Sequence, residues 1–142
     1  MGIKAVELAP FAQVSAITPP GKDVKTKYFS LARTDTTAAV KAVLPFNATI
    51  VDFRIFGAAS NAGTTATVSV GTSATATEFI NAQDVKTAGG LIRPTSTVSA
   101  TNLPNLEASP PTGDVIIWAK YAETGTASSA GGPYIVFIDY VE

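Results

Sequence analysis

Apolar and polar positions alternate with a period of two through the best-defined parts of the chain. In "TIVDFRIF", Val51, Phe53 and Ile55 fall on one side and Asp52 and Arg54 on the other, as in a strand with one buried face. In "TATVSVG", Ala66, Val68 and Val70 alternate in the same way with Thr67 and Ser69. "DVIIWAKYA" and "YIVFIDYVE" are rich in β-branched and aromatic residues, which suit a pleated surface. "VKTKYFSLA" and Thr95–Ala100 read as further strands. "AAVKAVL" admits one or two helical turns, but its β-branched pattern and the stop at Pro45 favour a strand. "ATEFINAQDV" predicts one short helix, with Thr77 as N-cap, Glu78 beside the positive helix end, and Phe79 and Ala82 on one face.

The breaks are equally legible. "ITPPGKD" closes an N-terminal arm over residues 1–22, and the domain proper runs over 23–142. Residues Asn102–Asp114 form a proline-rich loop that cannot be a central strand. Residues Ala122–Pro133 are expected to join the last two strong strands as a long hairpin loop. Strands and turns spaced by roughly 8–15 residues, with no internal repeat, point to one all-β domain, an antiparallel sandwich or barrel.

The last two strands depart from simple alternation. Val115, Ile117, Ala119 and Tyr121 back onto Ile116, Trp118 and Lys120, while Ile135 and Phe137 back onto Val136 and Ile138. A sandwich strand with one solvated face would not be apolar on both. A loop, an arm, a helix or another subunit must cover the second face. The arm carries the same signal through Ile3, Val6, Leu8, Phe11, Val14 and Ile17, interrupted by Pro10, Pro19 and Pro20. It is expected to lie along a groove of its own domain or of a neighbour. The candidate interface residues are therefore Ile3, Val6, Leu8, Phe11, Ile116, Trp118, Ile135 and Phe137.

Composition narrows the chemistry. Hydrophobic residues make up 46% and charged residues 15% of the 142, with a net charge of −1, so no charged tail or basic field for nucleic acid or an anionic membrane is expected. No apolar run reaches membrane-spanning length, and Glu7, Pro10 and Gln13 break the stretch a secretory signal would need, so synthesis in the cytoplasm is expected. The absence of Cys and His removes disulfides, thiolate and imidazole catalysis and the usual zinc sites. The acids are scattered, and Asp52 and Arg54, two apart on one strand face, either pair across the pleat or simply face water, with the solvated reading favoured. "SVGTS" lacks the lysine of a phosphate loop. No catalytic, metal or cofactor site is expected. A carbohydrate-binding module remains an alternative, with Trp118 or Tyr121 among the exposed aromatics of a groove.

"AVLPFNATIVDFRIFGAASNAGTTATVSVGTSATATEFINAQDVKTAGG", followed by closing strands that end in "FIDYVE", resembles the small cement or decoration proteins of tailed-phage capsids. It is most similar to the jelly-roll cement proteins of short-tailed phages. The features that carry the likeness are "LP.NA.I.D" before a strand, "T.TVSVGTS" as strand and turn, and "FINAQDV" as a short helix entering a Gly-Gly turn. They cover residues 40–92 well and the C-terminal strands loosely. The resemblance implies a jelly-roll β-sandwich on the outer surface of an icosahedral head. It implies a homodimer, or alternatively a trimer, that bridges neighbouring major capsid subunits of HK97-like fold. It carries over no catalytic residue and no particular contact.

Overall fold

The computed structural model describes residues 23–94 and 113–142. Within them the chain forms eight strands: β1 (Lys25–Leu31), β2 (Ala39–Leu44), β3 (Thr49–Gly57), β4 (Thr65–Gly71), β5 (Ile80–Asp84), β6 (Gly90–Ile92), β7 (Val115–Thr124) and β8 (Tyr134–Val141). They build two antiparallel four-stranded sheets, ordered β1-β8-β3-β6 and β2-β7-β4-β5. That order is the double-sheet jelly roll, so the expected sandwich and its topology are both present. The arm over 1–22, the strand expected at Thr95–Ala100 and most of the proline-rich loop lie outside the described residues.

Alternation sets which side chains enter the core. Leu31, Phe53, Ile55, Val136 and Ile138 of the first sheet meet Leu44, Val68, Val70, Ile80, Ile117 and Tyr121 of the second, all of them buried. Tyr121 and Tyr134 stack with centroids 5.9 Å apart, and Phe53 packs against Phe79 at 5.2 Å. Such aromatic pairs add about 0.5–1.5 kcal/mol beyond the area they bury.

Four expectations are corrected. First, Val51 does not share the inward face of Phe53 and Ile55. Ile50 pairs with Tyr140 and Asp52 with Asp139, so Val51 is the extra residue of a bulge. A bulge shifts the side-chain alternation by one, so Ile50 points inward while Val51 is exposed. Second, residues 122–133 are not a hairpin loop. β7 and β8 lie in different sheets, and the segment carries the chain from one layer to the other.

Third, the helix expected over "ATEFINAQDV" is a turn followed by β5. Ala76 and Ala82 have φ of 53° and 54°, which a right-handed helix cannot include. The N–H of Phe79 donates to Val70 O at 3.0 Å, and that of Val85 to Ala66 O at 2.9 Å, so β4 takes the hydrogen bonds a helix would have kept internally. Ala82 sits at an irregularity in the β4–β5 ladder, and its N–H donates to Ser69 Oγ at 3.0 Å. Burial of Phe79, Ile80 and Val85 against the sandwich outweighs local helix propensity. Fourth, Asp52 and Arg54 neither simply face water nor pair with each other. Each has a separate partner, described below.

Glu78 does not flank a helix end but closes the β4–β5 turn. Its carboxylate accepts from Thr72 N at 3.0 Å, Thr77 N at 3.1 Å and Thr75 Oγ1 at 3.1 Å, and also from Ser73 Oγ. Gly71 makes room for it: a Cβ there would collide with Glu78 Oε2. Burial by itself would raise this carboxyl. Hydrogen bonds from Ser73, from its own backbone N–H, and from Thr75 and Thr72 outweigh that effect and bring its pKa from 4.5 to about 2.

Two outcomes are expected. In denaturant titrations Ile138→Ala, at a fully buried site on the central strand β8, loses about 2–5 kcal/mol of stability, while Val51→Ala at the exposed bulge changes it by no more than about 0.5 kcal/mol. Because its folded pKa is depressed, Glu78 stabilises the protein fully above about pH 4.5, and that contribution is lost as pH falls toward 2. Glu78→Gln therefore lowers Tm at pH 7 and flattens the acid limb of a Tm–pH profile. An acid limb of unchanged slope would exclude this role.

Candidate functional site

The strand directions give the sandwich two unlike ends. The β1–β2, β3–β4, β5–β6 and β7–β8 connections gather at a distal end. At the proximal end lie the β2–β3 and β4–β5 turns, together with Asp23, Pro94, Gly113 and Glu142, where the described segments begin or stop.

The candidate interface residues separate onto opposite sides. Ile135 and Phe137 stand half-buried on the outer face of the first sheet. Ile116 (exposed) and Trp118 (half-buried) stand on the outer face of the second. Ile3, Val6, Leu8 and Phe11 lie outside the described residues.

On the first sheet, the register places Ser30, Ile135, Phe56 and Leu91 in one cross-strand row, and Tyr28, Phe137 and Arg54 in the next. Tyr28, Phe56 and Leu91 are 67%, 52% and 58% exposed. Tyr28 and Phe137 approach with centroids 6.1 Å apart, and the Arg54 guanidinium lies 5.3 Å over the Phe137 ring. A proximal strip of charge borders this surface. Asp139 accepts from Arg54 Nη2 at 2.8 Å and from Thr26 Oγ1 at 2.6 Å, and Arg93 Nη1 donates to Asp52 Oδ2 at 2.9 Å. Contiguous aromatic and aliphatic side chains with arginine at the margin have the composition of a protein-binding surface.

Sequence reasoning found two of the five apolar members of this face and missed Tyr28, Phe56 and Leu91. Phe56 had a signal: it continues the side of "TIVDFRIF" that holds Asp52 and Arg54. Leu91 had none, because "GGLIRP" is too short to show a period, and pairing with Phe56 is what places it.

The outer face of the second sheet has a smaller apolar group. Val43 pairs with Ile116 in the row nearest the proximal end, and Val40 with Trp118 in the next. Val40, Val43, Ile116 and nearby Phe46 in the β2–β3 turn are all exposed. Trp118 faces Gly71 across the ladder. Tyr121 points the other way and is wholly buried, so it cannot line a sugar-binding groove as the carbohydrate alternative allows.

The distal connections are tied by polar contacts. Tyr121 Oη donates to Glu123 Oε2 at 2.7 Å, which leaves Ser60 Oγ, 2.9 Å from the same phenol oxygen, as donor to it. Ser128 donates to Glu123 through its backbone N–H at 3.1 Å and its hydroxyl at 2.5 Å. These bonds, Ser128 first and Tyr121 second, hold the Glu123 carboxyl below its usual range, while burial raises the Tyr121 phenol. Arg33 reaches the same loop through Ser128 and Ser129. Asn61 Oδ1 accepts from the N–H groups of Ser129 and Ala130 at 2.9 Å each. The cluster fixes loop positions, and each polar group in it is already engaged with the chain itself.

Among the described residues no three His, Cys, Asp or Glu side chains gather in a metal-binding group, and no helix is long and apolar enough to cross a membrane. Among the described residues, Arg54 Nε and the Tyr134 hydroxyl are buried without a hydrogen-bond partner, and the broader unpartnered features are the apolar outer faces.

No family model matches the chain, and no curated protein is significantly similar to it. Among solved structures, a chain of the cyanophage Pam1 capsid asymmetric unit is similar, with a TM-score of 0.59 and 22% sequence identity, over 88% of this chain and 91% of that one. The likeness spans nearly the whole of both chains, and what it establishes is a shared fold.

Proposed function

We propose that this protein is a structural component of a phage virion, a cement protein that sits on the outside of the head, bridges neighbouring major capsid subunits of HK97-like fold and stabilises the shell. The observation that carries the reading is the fold shared with a chain of a phage capsid asymmetric unit across 88% of this chain. The aromatic and aliphatic outer face of the first sheet gives that role a physical means. Its exposed members, Tyr28, Phe56 and Leu91, supply apolar area, and the flanking Asp52, Arg54, Arg93 and Asp139 give orientation.

Cementing acts by mass action. A protein that binds the assembled shell and not its separated parts stabilises the assembly by its binding free energy. Many copies on one lattice make modest individual contacts sufficient. The same face also serves self-association into a homodimer, with a trimer as the alternative. In this reading the protein is made in the bacterial cytoplasm and ends on the virion's outer surface, and it does its work without catalysis.

The test is cosedimentation with heads that lack the protein, together with the temperature at which those heads release DNA. Added wild-type protein raises that temperature. Phe56→Asp with Leu91→Asp keeps the fold, since both side chains lie outside the core. It weakens head binding by at least about tenfold, equivalent to about 1.4 kcal/mol. Heads equally resistant with and without bound protein would exclude the cement role.

A further inference from the structure

Among the described residues nothing covers either outer face, and the apolar group on the second sheet lies near where residues 1–22 join the fold. We propose that residues 1–22 fold back over the outer face of the second sheet in their own chain, covering Phe46, Val43, Ile116, Val40 and Trp118.

The argument starts from where those residues join the fold. They enter at Asp23, at the proximal end of β1. The two sheets meet along the β1–β2 edge, where Lys27 Nζ donates to Val43 O at 2.7 Å. The entry point is thus four residues from a side chain already bonded to β2. Next to it on the second sheet, the first outward row is apolar, Val43 with Ile116, and the row beyond it is Val40 with Trp118.

On the first sheet the path is interrupted. Its outermost proximal row is Thr49 with Val141, beside exposed Val24 and Val51, but the next outward row is the polar Thr26, Asp139 and Asp52, with the Lys25–Glu142 ion pair beside it. A segment heading for Tyr28 and Phe56 would have to cross that polar strip and desolvate it.

Reach and composition agree. Twenty-two residues extend to about 70 Å, whereas two rows across three strands span only about 10 Å in each direction. Residues 1–22 hold Ile3, Val6, Leu8, Phe11, Val14 and Ile17, enough apolar side chains to cover the group. Glu7 is their one acid, and Lys120 follows Trp118 on the same face. Docking there accounts for the apolar outer sides of β2 and β7, and it leaves the first sheet's face as the surface for other molecules. The inference concerns the isolated protein and stands or falls apart from the capsid reading.

The absence of cysteine and the single tryptophan make the test direct. Ser15→Cys in the full chain takes one spin label, and dilute isotope-labelled protein reports which amides it broadens. The expected result is selective loss of signal at Val40, Val43, Ile116 and Trp118, with Tyr28, Phe56 and Leu91 spared. Leu8→Asp with Phe11→Asp then restores those signals and shifts Trp118 emission to the red, while Val136 and Ile138 keep their positions and report an intact fold. Broadening centred on the first sheet, or spread evenly over the domain, overturns the proposal. So does broadening that requires a spin-labelled second copy mixed with an isotope-labelled one, which would make the occupant a neighbour's segment. A Trp118 emission unmoved by the double variant overturns it as well, since some other group would then cover that face.

Discussion

Everything in this molecule depends on two twisted sheets burying one face each against the other. With no disulfide available, burial of inward side chains and the backbone ladders must offset the conformational entropy of ordering the chain. Inward alternation along β7 and β8, and along β3 beyond its bulge, is the direct result. The bulge at Val51 brings Ile50 inward, and the irregularity around Ala82 brings Gln83 opposite inward Val68.

That requirement also explains the local polar architecture. A sandwich leaves the backbone of its connections without ladder partners, and those groups must find others. Glu78 gathers the N–H groups of the β4–β5 turn, and Asn61 does the same for the β7–β8 connection. Asp84, which accepts from the backbone N–H groups of Lys86 and Thr87, serves the turn after β5. Carboxylates that could be taken for chemistry are spent on closing turns, and their depressed pKa values follow from donated hydrogen bonds. Perturbed ionisation marks a functional site only when the perturbing groups converge on something outside the chain; here they converge on the chain's own loops.

The outer faces carry what is left. A jelly roll needs only one apolar face per sheet, so apolar side chains on the other are surplus to folding. The first sheet concentrates them as Tyr28, Phe56, Leu91, Ile135 and Phe137, bordered by a charge-balanced strip. The second places a smaller set beside the point where the preceding residues join. The two groups differ in exposure, in rim and in distance from the chain's entry, and these differences suit them to different occupants.

Much of this was legible in the sequence. Period-two alternation gave the strong strands and most of their inward faces. The doubly apolar strands "DVIIWAKYA" and "YIVFIDYVE" announced surfaces needing cover, and missing residue types removed whole classes of chemistry. Three things were not legible. Whether β7 and β8 share a sheet depends on which layer each joins, and a glycine-rich connection is compatible with a hairpin or a crossing. "ATEFINAQDV" satisfies local helix rules, and only pairing with β4 and burial of Phe79, Ile80 and Val85 override them. Leu91 joins Phe56 and Ile135 through register alone. Alternation is a property of neighbours along the chain, so the sequence by itself determines which side of a strand is apolar. Which strands lie side by side is decided by contacts between distant residues, so only the tertiary structure separates Ile116 and Trp118 from Ile135 and Phe137 onto two opposite faces.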